Sequence, residues 1–209
     1  MSLRPAGVLG AAFGEAADGD GRVDLKSRRF FSAAVGAPGS WAWVHQVHGT
    51  GVVEVDIGGD QGDADALFTR RPGVALSVGT ADCFPVILDA GDAVGVAHSG
   101  WRGVQAGVVT ELRSRMAAAG SEVMRAVIGP GIRPCCFEVG PEVAERFPDR
   151  TATTTWGTVS VDLVGAVRAQ LDGVEVLDLG ACTHHDERFH SHRRDRTPLR
   201  QVSIAWLPD

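Results

Sequence analysis

Three side chains that could bind a metal ion lie at the ends of predicted strands: His48, Cys83 and His98. Imidazole nitrogen and thiolate sulfur are ligands that Zn²⁺ favours, and a catalytic zinc site keeps three protein ligands and one open position. The three residues are 35 and 15 positions apart, which excludes a zinc finger, whose ligands lie a few residues apart. The spacing permits a site that the fold assembles. The alternative interpretation is that the three residues are ordinary core or surface residues, since residue type alone does not show metal binding.

Cys83 has a second interpretation, as a nucleophile with His98 or His48 as its general base. A metal ion bound to both histidines would remove that base and make the thiolate a ligand, so the two roles exclude each other. We favour the ligand. Asp82, the preceding residue, either orients a ligand histidine or caps a turn, and the sequence does not decide between the two roles.

The remaining cysteines do not predict redox chemistry. Cys135 and Cys136 are adjacent, and neighbouring side chains point apart, so an unstrained disulfide between them is not expected. Free cysteine packs as a small hydrophobic residue, and we expect this pair and Cys182 to be buried in that way.

The C-terminal region holds the densest group of histidines in the chain. A second metal site, with His190 and His192 on one face of an extended segment, is one interpretation. No carboxylate or cysteine pattern completes such a site, so a solvated, arginine-rich loop is favoured. The histidines in question are His184, His185, His190 and His192.

Six motifs follow one another along the chain. They are Gln46-Val47-His48-Gly49, Ala81-Asp82-Cys83-Phe84-Pro85, His98-Ser99-Gly100-Trp101-Arg102-Gly103, Gly129-Pro130-Gly131-Ile132, Cys135-Cys136-Phe137-Glu138-Val139-Gly140 and, after Cys182-Thr183, Ser191-His192-Arg193-Arg194-Asp195. In this order they resemble the signature of the YfiH family, which is also called the laccase-domain, multicopper polyphenol oxidoreductase or purine nucleoside phosphorylase family. The resemblance covers roughly residues 40 to 207.

The resemblance implies that His48, Cys83 and His98 hold a zinc ion, with Cu²⁺ as the alternative metal. It implies phosphorolysis of purine nucleosides to the free base and ribose 1-phosphate, with adenosine deamination as a companion activity. The partners would then be a nucleoside and phosphate. Three alternatives remain open: a copper-dependent polyphenol oxidoreductase, a hydrolase that edits peptidoglycan precursors, and a metal-stabilised binding module without activity.

Phosphate is best bound by a planar guanidinium, which arginine supplies. Arg102 follows His98 by four residues at the predicted start of a helix, whose backbone donors and dipole would add to an anion site. A structural salt bridge is the alternative for Arg102. The predicted catalytic residues are therefore Cys83, His98, His48 and Arg102, and the predicted substrate-binding residues are Arg102, Arg193, Arg194 and His192.

This sequence departs from the family pattern near both ends. An arginine that the family places in the loop after the first strand is missing, because the chain there reads Phe13-Gly14-Glu15-Ala16. Tyrosines that the family places after the cysteine pair and before the paired arginines are here Phe137 and His192. His192 adds a titratable group beside Arg193, so it is the change most expected to alter substrate choice.

Composition excludes several function classes. The chain has 209 residues and a formal net charge of −6, which gives no bulk attraction to nucleic acid or to an anionic membrane. Tyrosine is absent and Lys26 is the only lysine, which excludes catalysis by tyrosine and almost excludes a Schiff-base lysine. At roughly 100–200 residues per domain, we expect one domain over residues 1–209, as a monomer or weak homo-oligomer.

The sequence also predicts the compartment. No apolar run approaches the roughly 20 residues of a membrane span, and residues 1–10 lack the basic start and apolar core of a signal peptide. We therefore expect a cytoplasmic protein whose four cysteines are reduced.

Short strands must position these side chains. Apolar runs bounded by Gly, Asp or Pro predict strands over residues 8–13, 41–47, 52–55, 74–78, 86–88, 94–97, 124–128, 174–179 and 202–207. Helical periodicity covers residues 102–119 and, more weakly, 24–35, 141–147 and 162–171. Residues 14–21 are glycine-rich without a phosphate-loop spacing and indicate a surface loop. The elements alternate without a strict βαβ order, which predicts an α/β (α+β) domain with mixed β-sheets flanked by helices, YfiH-like by resemblance.

Overall fold

Strands carry most of the regular structure in the computed structural model, which describes residues 3–5, 8 and 10–208. The strands are β1 Ala11–Phe13, β2 Ser40–His45, β3 Val52–Glu54, β4 Gly59–Asp63, β5 Ala66–Thr69, β6 Val74–Thr80, β7 Phe84–Asp89, β8 Val94–Ser99, β9 Arg125–Ile128, β10 Thr151–Thr153, β11 Val159–Val161, β12 Glu175–Asp178 and β13 Gln201–Trp206. The helices are α1 Leu25–Val35, α2 Trp101–Ala106, α3 Val108–Ala118, α4 Pro141–Ala144, α5 Leu163–Ala169 and α6 His192–Asp195.

Two mixed sheets form the body of the fold. The first has the strand order β1-β13-β6-β2-β4, with β2 parallel to both β6 and β4 and the other pairs antiparallel. The second has the order β12-β9-β7-β8-β5-β3, with parallel pairs only at its two ends. A separate hairpin joins β10 and β11. The predicted architecture of mixed sheets flanked by helices is confirmed.

The two sheets pack face to face because their strands are apolar on both sides. Leu76 and Val78 of β6 share one buried cluster with Ile87 of β7 and Val96 of β8. Side chains alternate between the faces of a strand, so Val86, next to Ile87, packs in a different cluster, with the helices. Burial on both faces explains why these strands are near-continuous apolar runs.

Helices cover the two outer faces. Phe31 and Val35 of α1 pack on the five-stranded sheet against Trp41 and Ile204. On the six-stranded sheet, α3 contributes its apolar side to the cluster that also contains residues of α2 and α5. Among the described residues, no helix is both long and apolar enough to cross a membrane.

Several local predictions were wrong for identifiable reasons. The single helix predicted over residues 102–119 is two helices, because Gly107 between α2 and α3 takes a left-handed φ of 90°. Residues 14–21 are not a surface loop, since Glu15 and Asp20 are buried around a 3₁₀ turn. The edge strand β4 was missed because its glycine- and aspartate-rich sequence has low strand propensity. Of the strand predicted over residues 8–13, residue 9 lies outside the described part of the chain.

Candidate functional site

His48, Cys83 and His98 come together at one edge of the sheets because of the strand pairing that carries them. β2 and β6 run parallel, so the segments that follow them, which contain His48 and Cys83, leave the sheet at the same edge. His98 lies in β8 opposite Pro85, and β7 begins directly after Cys83. The register of β7 with β8 therefore places His98 beside the other two residues.

The three side chains surround a common point. One potential ligand atom from each lies within 4.8 Å of those of the other two. The rings of His48 and His98 are nearly perpendicular, with centroids 4.7 Å apart. His48 is exposed, Cys83 is half-buried and His98 is 3% exposed, so the group is open on one side. Three converging donors with an open side match the ligand pattern of a catalytic metal site.

The backbone near the site adopts uncommon conformations. His48 and Asp82 have φ values of 61° and 87°, in the left-handed region that non-glycine residues seldom occupy. Each such residue costs about 1–3 kcal/mol and persists only where the surrounding structure enforces it. The strained backbone therefore includes His48 itself and the residue directly before Cys83.

Gly100, directly after β8, leaves room for the group. A Cβ at this position would lie 2.9 Å from Cδ2 of His48 and 3.0 Å from the Cys83 Sγ atom. Its φ of −74° is open to any residue, so the space, and not the backbone, requires glycine here.

We expect Gly100→Ala to weaken metal binding by about 10–100-fold, because the added methyl group displaces two ligands from their common point. Zinc affinity measured by competition with a chromogenic chelator checks this. Gly39→Ala is the matched control, since its Cβ meets nothing within 4 Å. Equal zinc affinity in the two variants would contradict the expectation.

Asp65 orients the group, and the sequence did not single it out. Its buried carboxylate accepts hydrogen bonds from Nδ1 of His98 at 2.8 Å, from the His48 backbone N–H at 3.0 Å and from the Gly49 backbone N–H at 2.6 Å. With Nδ1 directed to Asp65, His98 turns its Nε2 atom toward the other two side chains, and a metal ion would take the place of the Nε2 proton.

Asp82, the residue considered for that orienting role, does something else. Its two carboxylate oxygens accept from the Thr183 hydroxyl and from the Arg193 backbone N–H, each at 2.7 Å. It therefore fixes the C-terminal segment against the link between β6 and β7.

The local charges favour the thiolate. Burial raises the pKa of Cys83. The charge of His98 and hydrogen bonds from both histidines outweigh that effect and lower the pKa to about 6. Burial lowers the pKa of His98, but the charge of Cys83 and the hydrogen bond to Asp65 raise it to about 9. Cys83 is thus ionised at neutral pH, the state in which a thiol binds a metal.

The group lies in a cavity of about 690 Å³, within the range of small-molecule sites. Its walls come from segments far apart in sequence, including the strand ends of β2 and β6, the segment after β9 and the C-terminal segment. The lining residues are Arg22, Trp43, Val44, His45, Gln46, His48, Ser77, Gly79, Thr80, Ala81, Asp82, Cys83, His98, Ile132, Phe137, His192, Arg193 and Arg200.

Three arginines give this cavity a positive wall in a protein of net negative charge. Arg22 pairs with Asp20 at 2.6 Å, and Arg193 lies over the Phe137 ring with 5.6 Å from its Cζ atom to the centroid. Burial lowers the pKa of Arg200, and the neighbouring charge of Arg22 lowers it further. Neither Arg22 nor Arg200 was predicted as a site residue, since both lie outside the six motifs.

The other predicted arginines lie elsewhere. Arg102 is exposed, stacks on Trp101 with its Cζ atom 4.3 Å from the ring centroid, and lines an adjoining cavity of about 400 Å³. Arg194 is not among the lining residues of either cavity. Its guanidinium donates to the carbonyls of Thr183, His184 and Phe189 and pairs with Asp195. The predicted role of Arg102 in catalysis stays a prediction.

The C-terminal histidines do not share one site. His192 begins α6 and lines the main cavity, while the backbone N–H of His190 donates to the Gln201 side chain at 2.8 Å. His184 packs on Trp156, with ring centroids 5.8 Å apart. His185 instead contacts the adjacent cysteines, with Nε2 3.2 Å from the Cys136 Sγ atom.

Comparison with known proteins assigns the chain to a family. Residues 10–208 match the family described as multi-copper polyphenol oxidoreductase laccase, and the chain belongs to that family. The chain is 41% identical over 186 residues to purine nucleoside phosphorylase ORF3 of Streptomyces griseus, covering 81% of this chain and 75% of that protein. It is 36% identical over 213 residues to purine nucleoside phosphorylase YfiH of Escherichia coli, covering 95% and 85%.

Two solved structures have a similar fold. NMB0706 of Neisseria meningitidis superposes with a TM-score of 0.76 at 34% identity, covering 88% of this chain and 80% of that one. YlmD of Geobacillus stearothermophilus gives 0.81 at 28% identity, covering 100% and 88%. The names of these two curated relatives are those of enzymes, which supports an enzymatic activity for this chain.

Proposed function

We propose that this protein is a zinc-dependent purine nucleoside phosphorylase, which converts a purine nucleoside and phosphate to the free base and ribose 1-phosphate. The observation that carries the proposal is the convergence of His48, Cys83 and His98 at the open side of a cavity lined by three arginines. The three converging side chains suit a metal ion, and the arginines suit an anionic reactant.

The residues fit Zn²⁺. Two imidazoles and a thiolate are a donor set that zinc accepts, and Asp65 fixes the tautomer of His98 as a second partner behind a metal ligand does. A bound zinc ion would act as a Lewis acid on an oxygen of phosphate or ribose, or on the water needed for adenosine deamination. The cytoplasm, a reducing compartment, would keep Cys83 available as a thiolate.

The protein's own residues would bind and orient both reactants. Arg193 and Arg200 offer guanidinium groups that match a phosphate dianion, and the positive wall concentrates anions in the cavity. In the reaction, a phosphate oxygen forms a bond to C1′ of the ribose while the bond from C1′ to the purine nitrogen breaks. The purine leaves with that electron pair and takes up a proton. Phe137 offers a ring face and His192 a polar edge to the nucleoside.

The test incubates zinc-loaded protein with inosine or adenosine in the presence of phosphate. We expect free base and ribose 1-phosphate, and from adenosine also inosine and ammonia. No base released by fully zinc-loaded protein would overturn the proposal. Oxidation of phenols by O₂ in copper-loaded protein only, or hydrolysis of peptidoglycan precursors only, would replace it with one of the two alternatives.

We expect Arg200→Ala to raise the KM for phosphate by about 10–100-fold, because a charge-assisted hydrogen bond is worth about 1.5–3 kcal/mol. Initial rates at varied phosphate and saturating nucleoside measure this. Arg200 also donates to the carbonyls of Thr197 and Leu199, so Arg200→Lys tests whether charge without the planar fork suffices.

Two further variants complete that experiment. Arg113→Ala is the matched control, since Arg113 lies on the exposed side of α3 and donates to the Asp172 carbonyl. Arg102→Ala tests the sequence-based prediction directly. A KM for phosphate that rises in Arg102→Ala and stays constant in Arg200→Ala would move the phosphate site to the adjoining cavity.

A further inference from the structure

We propose that Cys135, Cys136, Cys182 and His185 form a second metal site, which binds one Zn²⁺ ion in a closed tetrahedral arrangement of three sulfurs and one nitrogen. One potential ligand atom from each of the four residues lies within 4.8 Å of the others. Within the described part of the chain, this is the one such cluster besides His48, Cys83 and His98.

The spacing of the donor atoms fits zinc. A Zn–S distance of about 2.3 Å implies about 3.8 Å between two sulfurs at tetrahedral corners. The Cys135 Sγ atom lies 3.5 Å from that of Cys136 and 3.9 Å from that of Cys182. The His185 ring completes the set, with Nε2 3.2 Å from the Cys136 Sγ atom. Small side-chain rotations would bring all four donors to one ion.

The fold, and not the local sequence, brings these residues together. β9 and β12 are parallel neighbours, so the segments that follow them leave the six-stranded sheet at the same end. The pairing continues past the strands, because the Gly131 N–H donates to the Ala181 carbonyl and the Thr183 N–H to the Gly131 carbonyl. The turn at residues 133–137 and the turn at 182–186 therefore face each other, with Cys135 and Cys136 in the first and Cys182 in the second.

One backbone donor and one imidazole face the sulfurs of the cluster. The Arg133 backbone N–H points to the Cys182 Sγ atom at 3.5 Å, a contact that stabilises negative charge on sulfur. His185 is exposed and can turn either ring nitrogen to the sulfurs. Cys136 is fully buried, as expected for a small core residue, but packing alone does not explain an imidazole in contact with two thiols.

Two other uses of the cluster fit less well. A nucleophilic cysteine lies in partly exposed, electropositive surroundings, whereas the Cys136 thiol is buried. A disulfide between Cys135 and Cys182 would use two of the thiols and leave Cys136 beside an unused imidazole. Four protein donors around one ion use every member of the cluster and leave no open position, which is the pattern of a structural zinc site.

A cation here would hold the wall of the main cavity. Ile132 and Phe137, which flank the cysteine pair, both line that cavity. Thr183 follows Cys182 directly and donates to Asp82, which precedes Cys83. The second site would thus join the segment after β9 to the C-terminal segment just behind the cavity.

Metal counting on tag-free protein tests the proposal. After gel filtration in metal-free buffer, we expect about two zinc ions per chain in the natural protein and about one in each of Cys182→Ser and Cys83→Ala. The double variant is expected to hold none. His184→Ala is the matched control, since it removes the neighbouring imidazole outside the cluster and should keep both ions.

Two further readouts identify the site. Cobalt bound to Cys83→Ala should show the intense sulfur-to-metal charge-transfer bands of three thiolates, and these bands should vanish on adding Cys182→Ser. In the Cys83→Ala background, chelation should lower the melting temperature by roughly 5–10 °C, with no further fall in the double variant.

Several outcomes would overturn the proposal. One is a single zinc ion per chain that Cys83→Ala removes and Cys182→Ser keeps. Another is fewer than four titratable thiols in denatured, metal-free protein, which would show a disulfide in the cluster. Conversely, if Cys182→Ser alone loses zinc and Cys83→Ala keeps all of it, the second site stands and the proposed catalytic metal fails.

Discussion

Replacing Cys83 by alanine is expected to lower kcat/KM for phosphorolysis by about 1,000-fold or more, since a metal ion contributes several kcal/mol to the transition state. The same variant should lose the ion bound by His48, Cys83 and His98, because two imidazoles alone hold zinc less firmly. The cysteine is half-buried in a cavity wall, so the fold should persist. Steady-state kinetics, zinc content and the thermal unfolding midpoint check the three parts.

Ser99→Ala is the control for that experiment. Ser99 is also buried, follows His98 and has a hydroxyl for which the described residues provide no hydrogen-bond partner. Its removal should be nearly neutral. Unfolding of Cys83→Ala would instead support the metal-stabilised binding module, in which the ion holds the chain together. Full activity in Cys83→Ala would reject both the ligand and the nucleophile interpretations of this residue.

The second large effect is expected for Asp65→Asn. An amide oxygen accepts at most two hydrogen bonds, so the amide group leaves at least one of three donors, the His98 ring and two backbone N–H groups, unpaired and holds His98 less firmly. We expect zinc affinity at the main site to fall by about 10–100-fold, and excess zinc to restore much of the lost kcat. The buried donor that is left without an acceptor in this variant should also lower the folding stability by about 1–3 kcal/mol.

Asp63→Asn is the matched control, because Asp63 lies two residues away, is exposed and contacts His45 instead. It should leave zinc affinity unchanged. A purely structural role for Asp65 predicts a lower unfolding midpoint with wild-type zinc affinity and no rescue by added zinc. That result would remove Asp65 from the set of residues that position the site.

The convergence of His48, Cys83 and His98 could be predicted from sequence, because each of them lies at or near the end of an apolar strand. The ends of neighbouring strands meet at the same end of a sheet, and the order of the motifs along the chain indicated which three residues meet there. Asp65 could not be distinguished from Asp63, since both lie in the same run of alternating aspartates. Only the pairing of β5 with β8, which lets the His98 N–H donate to the Asp65 carbonyl, selects it.

The arginines and the cysteine cluster show a different limit. Arg22 and Arg200 lie at opposite ends of the chain, and both line the cavity. The adjacent cysteines by themselves indicated small core residues. Their proximity to Cys182 depends on the parallel pairing of β9 and β12, which no local pattern shows. Sequence reasoning therefore missed residues that long-range pairing brings together without a recognisable motif.

The position of β13 has a consequence for how the protein folds. This strand lies between β1 and β6, so Ala11 pairs with Ala205 across nearly the whole chain. Pairing over such separations is slow, and until it happens β1 and β6 each present an open, apolar edge. Substitutions that delay insertion of β13 should therefore reduce the yield through aggregation during folding, while the molecules that do complete the sheet keep normal activity.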